Sequence, residues 1–225
     1  MIDRSARVDA TASLETDVAI GPATMISAHA RVGRGVVIGS ETRVGLHVVI
    51  EEGVRVGNRV QIQDGAVIQR GAEIEDGVLV GTGAILANER YPRVITAEGE
   101  LAPEGDRVIE PIVLAYGCSI GAGAVVIGGC TVGRFATVGA GSVVTRHIGA
   151  YALAAGSPAR RIGWVCACGQ RLHDSTGHPA PATRERYAID PELSCSACGR
   201  HYAFVGDEGA LHEQRGPAIS QGATT

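Results

Sequence analysis

The sequence predicts an all-β chain wound into a parallel β-helix of triangular coils, closed by a small cysteine-built module. Three observations predict it. An aliphatic residue returns at every sixth position over most of the chain. Glycine supplies 32 of 225 residues, about twice the usual share. Aromatic residues reach only 4%, too few for a core of packed rings, so Val, Ile and Ala must fill the interior.

The period begins at Ile2 and runs through Val8, Leu14, Ile20, Ile26, Val32, Ile38, Val44, Ile50, Val56, Ile62, Ile68, Ile74 and Val80 to Leu86, fifteen consecutive positions without a miss. Four residues after each aliphatic stands a small or β-branched one, as in Ala6, Ala12, Val18, Thr24, Ala30 and Val36. Glycine recurs either just after the aliphatic or three residues after it. Six matches neither the 3.6-residue helix nor the two-residue strand alternation. It fits a flat side with one inward knob, a small inward neighbour and a corner where glycine relieves the φ restriction. Three sides close a coil of about 18 residues, and coils stack ~4.8 Å apart. The hexads account for about seven coils and a prism on the order of 35 Å tall, spanning residues 1–162.

From Ala87 to Arg107 the hexads stop, and the period resumes at Val108, Leu114, Ile120, Val126, Val132, Val138 and Val144. A loop of that length inside a solenoid is functional more often than accidental. It carries a Tyr-Pro pair and the run Glu98-Gly99-Glu100.

The six cysteines divide in two. Cys118 and Cys130 occupy the small inward slot and read as buried thiols of Ala-like size. Cys166, Cys168, Cys195 and Cys198 form two short pairs, each followed by Gly. They resemble the paired knuckles of a zinc ribbon, a closed Cys₄ site whose metal serves folding. The module spans 163–204 and is expected to cap the open end of the prism, with Trp164 packed at the junction. Residues 205–225 hold too little apolar content to order themselves and are expected to form a disordered tail.

Composition excludes several functions. Net charge is −4 with pI near 6.0, and the module's Arg and acidic residues balance, so no phosphate-binding footprint for nucleic acid or an anionic membrane is present. The chain has no Lys, which removes Schiff-base chemistry and the phosphate-loop lysine. No stretch approaches ~18 apolar residues, and no apolar core follows Met1-Ile2-Asp3-Arg4; a cytoplasmic location is expected.

The hexads resemble the signature of hexapeptide-repeat acyltransferases, which are left-handed parallel β-helices; the left hand is implied by that resemblance alone. Asn88-Glu89-Arg90-Tyr91-Pro92-Arg93 looks like the Asn-Asp-x-x-Pro-Arg element of bacterial nucleotide-sugar N-acetyltransferases. The resemblance implies a homotrimer in which the 87–107 loop covers a groove between subunits. It also implies transfer of acetyl from acetyl-CoA to an amine on a nucleotide-linked sugar. Carried over, Asn88 orients the amine and Glu89 accepts or relays its proton. The coils around Ala122, Ala140 and Thr145 are similar to the family's closing coils, which places the coenzyme against those residues and Arg160 near its adenosine phosphate. Small side chains there leave backbone amides open to a pantetheine arm, and a guanidinium suits a phosphate.

Several features depart from the pattern. No His lies between positions 48 and 146, unlike the His-dependent branches of the superfamily. His29 and His47 stand one coil apart on one corner, about 5 Å from each other, and His147 reads as a turn residue. Gln61-Ile62-Gln63-Asp64-Gly65, Gln69-Arg70-Gly71 and Leu86-Ala87 differ from the family's pocket residues, and Glu89 replaces its Asp. An acyltransferase acting on another small-molecule hydroxyl or amine therefore stays open, as does a noncatalytic scaffold. A γ-carbonic-anhydrase-like metalloenzyme would need a His-x-x-x-x-His pair on its coils, and residues 1–162 hold none.

Overall fold

The computed structural model describes residues 1–103, 108–180, 182, 192–205 and 210–214. Residues 2–148 form a parallel β-solenoid with three faces, and no helix occurs among the described residues. The first face carries Arg7–Val8, Met25–Ile26, Arg43–Val44, Gln61–Ile62, Leu79–Val80, Ser119–Ile120, Thr137–Val138 and Ala152–Gly156 in parallel order, and Ala159–Trp164 then pairs antiparallel with the last. Those eight parallel rungs give about eight turns where the hexad count gave about seven. The second face runs from Ser13–Leu14 to Val143–Val144, and the third from Ala19–Ile20 to Thr131–Val132.

Each two-residue strand turns its aliphatic inward and its partner outward: Ile26, Ile38, Ile62 and Ile68 are buried while Met25 and Val37 are exposed. Burying each such side chain contributes roughly 2 kcal/mol, repeated around every turn. The small slot is inward too. Cys118 and Cys130 are buried in that slot, as are Ala66, Ala124 and Ala136, and burial pushes the Cys118 thiol up to about 12. Thr24 and Thr42 fill the same slot and bond along the stack, Thr42 Oγ1 donating to the Gly57 carbonyl at 2.9 Å and accepting from Val60 N at 3.1 Å.

Most corners fall three residues after the aliphatic, in the left-handed region. Where glycine is missing, Asp17, Ala23, His29, Glu41, His47 and Arg59 adopt φ of +53° to +61°, a cost the ladder bonds on either side offset. His29 and His47 stack with ring centroids 5.0 Å apart, as their 18-residue spacing requires.

Register dates the insertion. Ala72 pairs with Ile112, Leu79 with Ser119 and Ile85 with Val125, steps of 40 residues where the rungs before them advance by 18. The coil is left after Ile85–Ala87 and rejoined at Ile112–Leu114, which pairs with Ala72–Ile74. Val108 matches the six-residue phase but is 73% exposed, because the slot it would fill is already held by Leu86. The coil therefore resumes at Ile112 rather than Val108.

At the far end, Leu193–Ser194, His201–Val205 and Ala210–Gln214 form an antiparallel sheet. The last strand lies in the stretch that composition assigned to a disordered tail. Its Leu211 is buried, and that one apolar anchor plus the ladder suffices to pair it. Expectations for 206–209 and 215–225 fall outside the described residues. Trp164 is buried at the junction, 5.2 Å from the Phe204 ring and under the Arg161 guanidinium.

Candidate functional site

The corner between the second and third faces is a ladder of charged and amide side chains. Arg34 and Arg70 both pair with Glu52, at 3.0 and 2.9 Å. One coil above Arg70 comes Asn88, where the loop departs. Its backbone N–H donates to Gln69 Oε1 at 2.9 Å, its Nδ2 donates to the Arg70 carbonyl at 2.9 Å, and its own carbonyl accepts from Glu110 N at 3.1 Å. Asn88 is thus fixed at both ends of the loop and is 6% exposed. No described group donates to its Oδ1, which remains an acceptor.

Glu89 follows directly and lines a cavity of about 370 Å³ enclosed by the loop, together with Arg90, Tyr91, Arg93, Val108 and Glu110. Two acids and two guanidiniums share its wall with apolar residues such as Ile95 and Val108. Arg90 closes the base: its Nη2 donates to the Gly128 carbonyl at 2.9 Å, and its Nε lies 3.2 Å from Glu110 Oε2. Gly128 and Gly129 make room for this. A Cβ on Gly128 would stand 2.6 Å from the Asn88 carbonyl oxygen, and one on Gly129 2.5 Å from Glu110 Oε2. Sequence reading missed Arg90 and Glu110; the Gly128-Gly129 pair was the signal, since adjacent glycines mark a close approach of other chain.

The four residues expected along the coenzyme are placed as follows. Ala122 and Ala140 are exposed on the corner between the first and second faces, one coil apart, with Gly141 N donating to the Ala122 carbonyl at 2.9 Å. Gly156 N donates to Ser142 Oγ at 3.1 Å, which seats the final hairpin beneath that corner. Arg160 lies on the returning strand opposite Ala155. Thr145 stands away from these three, across the second face, in the column continued by Ile127 and Ala87.

Cys166, Cys168, Cys195 and Cys198 converge, their sulfurs all within 4.8 Å of one another. Such spacing fits a tetrahedral thiolate site. Hydrogen-bond bookkeeping agrees. Ala167 N donates to the Tyr202 hydroxyl at 2.9 Å, which leaves that hydroxyl's proton for Cys166 Sγ at 3.1 Å. Arg200 Nη1 donates to Cys198 Sγ at 3.3 Å. The bond from the Arg200 backbone N–H lowers the Cys198 thiol to about 6. Burial pushes the Cys166 thiol up to about 12, and the two outer donors are of the kind that supports thiolate ligands of a metal.

No protein-family model matches the chain. Over 93 residues it is 38% identical to dTDP-3-amino-3,6-dideoxy-α-D-galactopyranose 3-N-acetyltransferase of Aneurinibacillus thermoaerophilus, a match covering 41% of each chain. A hexapeptide-repeat acetyltransferase of Vibrio cholerae, solved with acetyl coenzyme A, superposes with TM-score 0.50 at 22% identity over 61% of this chain and 72% of that one. This is a hexapeptide-repeat β-solenoid. A Bacillus cereus N-acyltransferase, solved with dTDP-4-amino-4,6-dideoxyglucose and coenzyme A, is 16% identical with TM-score 0.48, over 72% of this chain and 82% of that one.

Proposed function

We propose that the protein is an acetyl-CoA-dependent N-acyltransferase whose acceptor is the amine of a nucleotide-linked amino sugar. The observation that carries the reading is Asn88, pinned where the loop leaves the coil, with Glu89 directly after it lining the loop cavity. Asn88 Oδ1 accepts an N–H of the substrate amine and aims its lone pair. The amine nitrogen attacks the thioester carbonyl, its proton passes to the Glu89 carboxylate, and collapse of the tetrahedral centre breaks the C–S bond. The proton then leaves with the coenzyme thiolate. Arg93 and Tyr91, on the cavity wall, suit a diphosphate and a base. Similarity to a dTDP-amino-sugar N-acetyltransferase supports the acceptor class.

The coenzyme lies along Ala122 and Ala140 of a left-handed coil, with Thr145 and Arg160 at its ends. The working form is a homotrimer. Val49, Val67, Ile85, Val125 and Val143 form an outward apolar column on the second face, and Tyr91 and Leu101 of the loop are 81% and 80% exposed. Apolar surface of this kind is covered by a partner, here a second copy. A structural zinc held by Cys166, Cys168, Cys195 and Cys198 folds the terminal module.

Calorimetric titration of the full chain with acetyl-CoA, dTDP-sugars and UDP-sugars tests the reading, followed by thiol release with a dTDP-amino sugar. Coenzyme binding and nucleotide preference are expected. A folded, metal-loaded protein that binds no acetyl-CoA overturns it; coenzyme binding without nucleotide binding moves the acceptor to another small molecule.

A further inference from the structure

The corner between the second and third faces repeats one device. The residue just after the buried aliphatic sends a side-chain oxygen up the stack to hold a backbone N–H of the next coil. Glu15 Oε2 accepts from Arg34 N at 3.1 Å, Glu51 Oε2 from Arg70 N at 3.0 Å, and Gln69 Oε1 from Asn88 N at 2.9 Å. Two of these three staples are carboxylates. The third, directly under Asn88, is an amide.

The exchange changes the chemistry of the corner. A carboxylate at this place would anchor Asn88 equally well, but it would set a second negative charge beside Glu89 and hold a nearby amine as its ammonium, which cannot attack. The amide anchors without charge and adds two N–H donors. Only the amide oxygen can meet the Asn88 N–H, so that bond also fixes which end of the side chain is Nε2. Gln69 is half-buried, and no described group accepts from its Nε2. A donor in that position is open to a ligand.

Asn88 presents the complement. Its Nδ2 is spent on the Arg70 carbonyl, and its Oδ1 is a free acceptor. A free donor and a free acceptor thus belong to two side chains joined through one 2.9 Å bond. Such a pair matches two neighbouring groups of opposite need, an amine N–H for Oδ1 and a hydroxyl oxygen for Nε2. A vicinal amino alcohol carries both on adjacent carbons.

We propose that Gln69 is an acceptor-binding residue: while Oε1 holds Asn88, Nε2 donates to the hydroxyl next to the reacting amine, so the site selects a vicinal amino alcohol. The proposal deepens the acyltransferase reading and rests on it.

The test compares dTDP-4-amino-4,6-dideoxyglucose, whose amine has one hydroxyl neighbour, at C3, with its 3-deoxy analogue. Thiol release is measured on the full chain, wild type and Gln69→Met. The wild type is expected to favour the hydroxylated acceptor about tenfold in kcat/KM. Gln69→Met loses the staple as well as the donor, so both acceptors slow, and their ratio should fall to about one. Glu15→Met removes the matching staple under Arg34 and should leave the ratio at its wild-type value. A purely structural Gln69 would slow both acceptors alike and keep the ratio, which overturns the proposal; so does a wild-type ratio of about one. If the wild type releases no thiol with either acceptor, the acyltransferase reading falls, and calorimetric titration with the same two dTDP-sugars decides the rest. Tighter binding of the hydroxylated sugar, lost in Gln69→Met, sustains Gln69 as the hydroxyl donor, and equal binding of the two overturns it.

Discussion

Arg90 and Glu110, at opposite ends of the inserted loop, form an ion pair at 3.2 Å directly over Gly129. The pair is about one-third exposed on each side, so its Coulomb energy alone contributes little. Its value is geometric, because the second Arg90 nitrogen reaches back to the Gly128 carbonyl and ties both loop ends to one coil. Arg90→Ala is expected to lower kcat/KM on the order of tenfold, with melting temperature nearly unchanged and faster proteolysis within the loop. Gly129→Ala should act in the same direction by pushing Glu110 away. Unaltered kinetics in both variants would show that the loop needs no latch.

The two loop-base residues should separate kinetically. Asn88 combines an anchor and an acceptor atom, so Asn88→Ala removes the bond to the Arg70 carbonyl as well as Oδ1, and both stability and kcat fall. Glu89→Gln keeps size and hydrogen bonding but cannot take a proton. Its kcat is expected to drop roughly 10²-fold, with acetyl-CoA affinity unchanged and the acid limb of the pH–rate profile lost. A Glu89→Gln enzyme of normal kcat would assign proton removal to solvent.

The solenoid was legible because a one-dimensional stack repeats one packing rule at every sixth residue, and Ile2 to Leu86 obeys it without exception. Phase alone misplaced the return. Val108 keeps the period and still sits in solvent, since periodicity records spacing and not whether a slot is vacant. Asn88 and Glu89 were visible as a motif at the break. Arg90 and Glu110 were not, because an ion pair across a loop depends on where the two ends land. The strand Ala210–Gln214 escaped notice for a related reason: its pairing comes from the register with His201–Val205, and Leu211 alone is a weak signal.

Acid should loosen a second ladder, on the corner between the third and first faces. Asp76 Oδ1 accepts from the Asn58 backbone N–H at 2.7 Å, and Asn58 Nδ2 adds a further bond. These bonds lower the Asp76 carboxyl below its usual value, the backbone bond most. A depressed folded pKa contributes stability that is fully present above the unfolded value near 3.9 and is lost as pH falls through the folded one. Wild-type melting temperature should therefore fall more steeply below pH 4 than that of Asp76→Asn. Parallel curves for the two proteins would remove Asp76 from the acid response.

The buried threonines predict a different cost. Thr42→Val preserves shape, and Val fills the same inward slot at Val36, Val48 and Val54. It removes the acceptor for Val60 N and the donor to the Gly57 carbonyl. An orphaned buried N–H costs roughly 1–3 kcal/mol, so denaturant unfolding should show a loss of that size, with activity per folded molecule retained. A change within error would mean that the Val60 N–H finds another acceptor when the hydroxyl is gone.

Metal removal is expected to act on one optical reporter. Trp164, the single tryptophan, is buried between the Arg161 guanidinium and the Phe204 ring, two residues before Cys166. The four thiolates of a Cys₄ site cannot stay within 4.8 Å of one another without a cation between them, because their charges repel. Chelation should therefore splay the cluster, release Tyr202 from Cys166, and shift Trp164 emission to the red as the module frays, while the solenoid keeps its far-ultraviolet signal. Cys198→Ser should reproduce this at lower chelator concentration, and elemental analysis of the untreated protein should give about one zinc per chain. Chelated protein with unshifted tryptophan emission and no bound metal would show that packing alone folds the module.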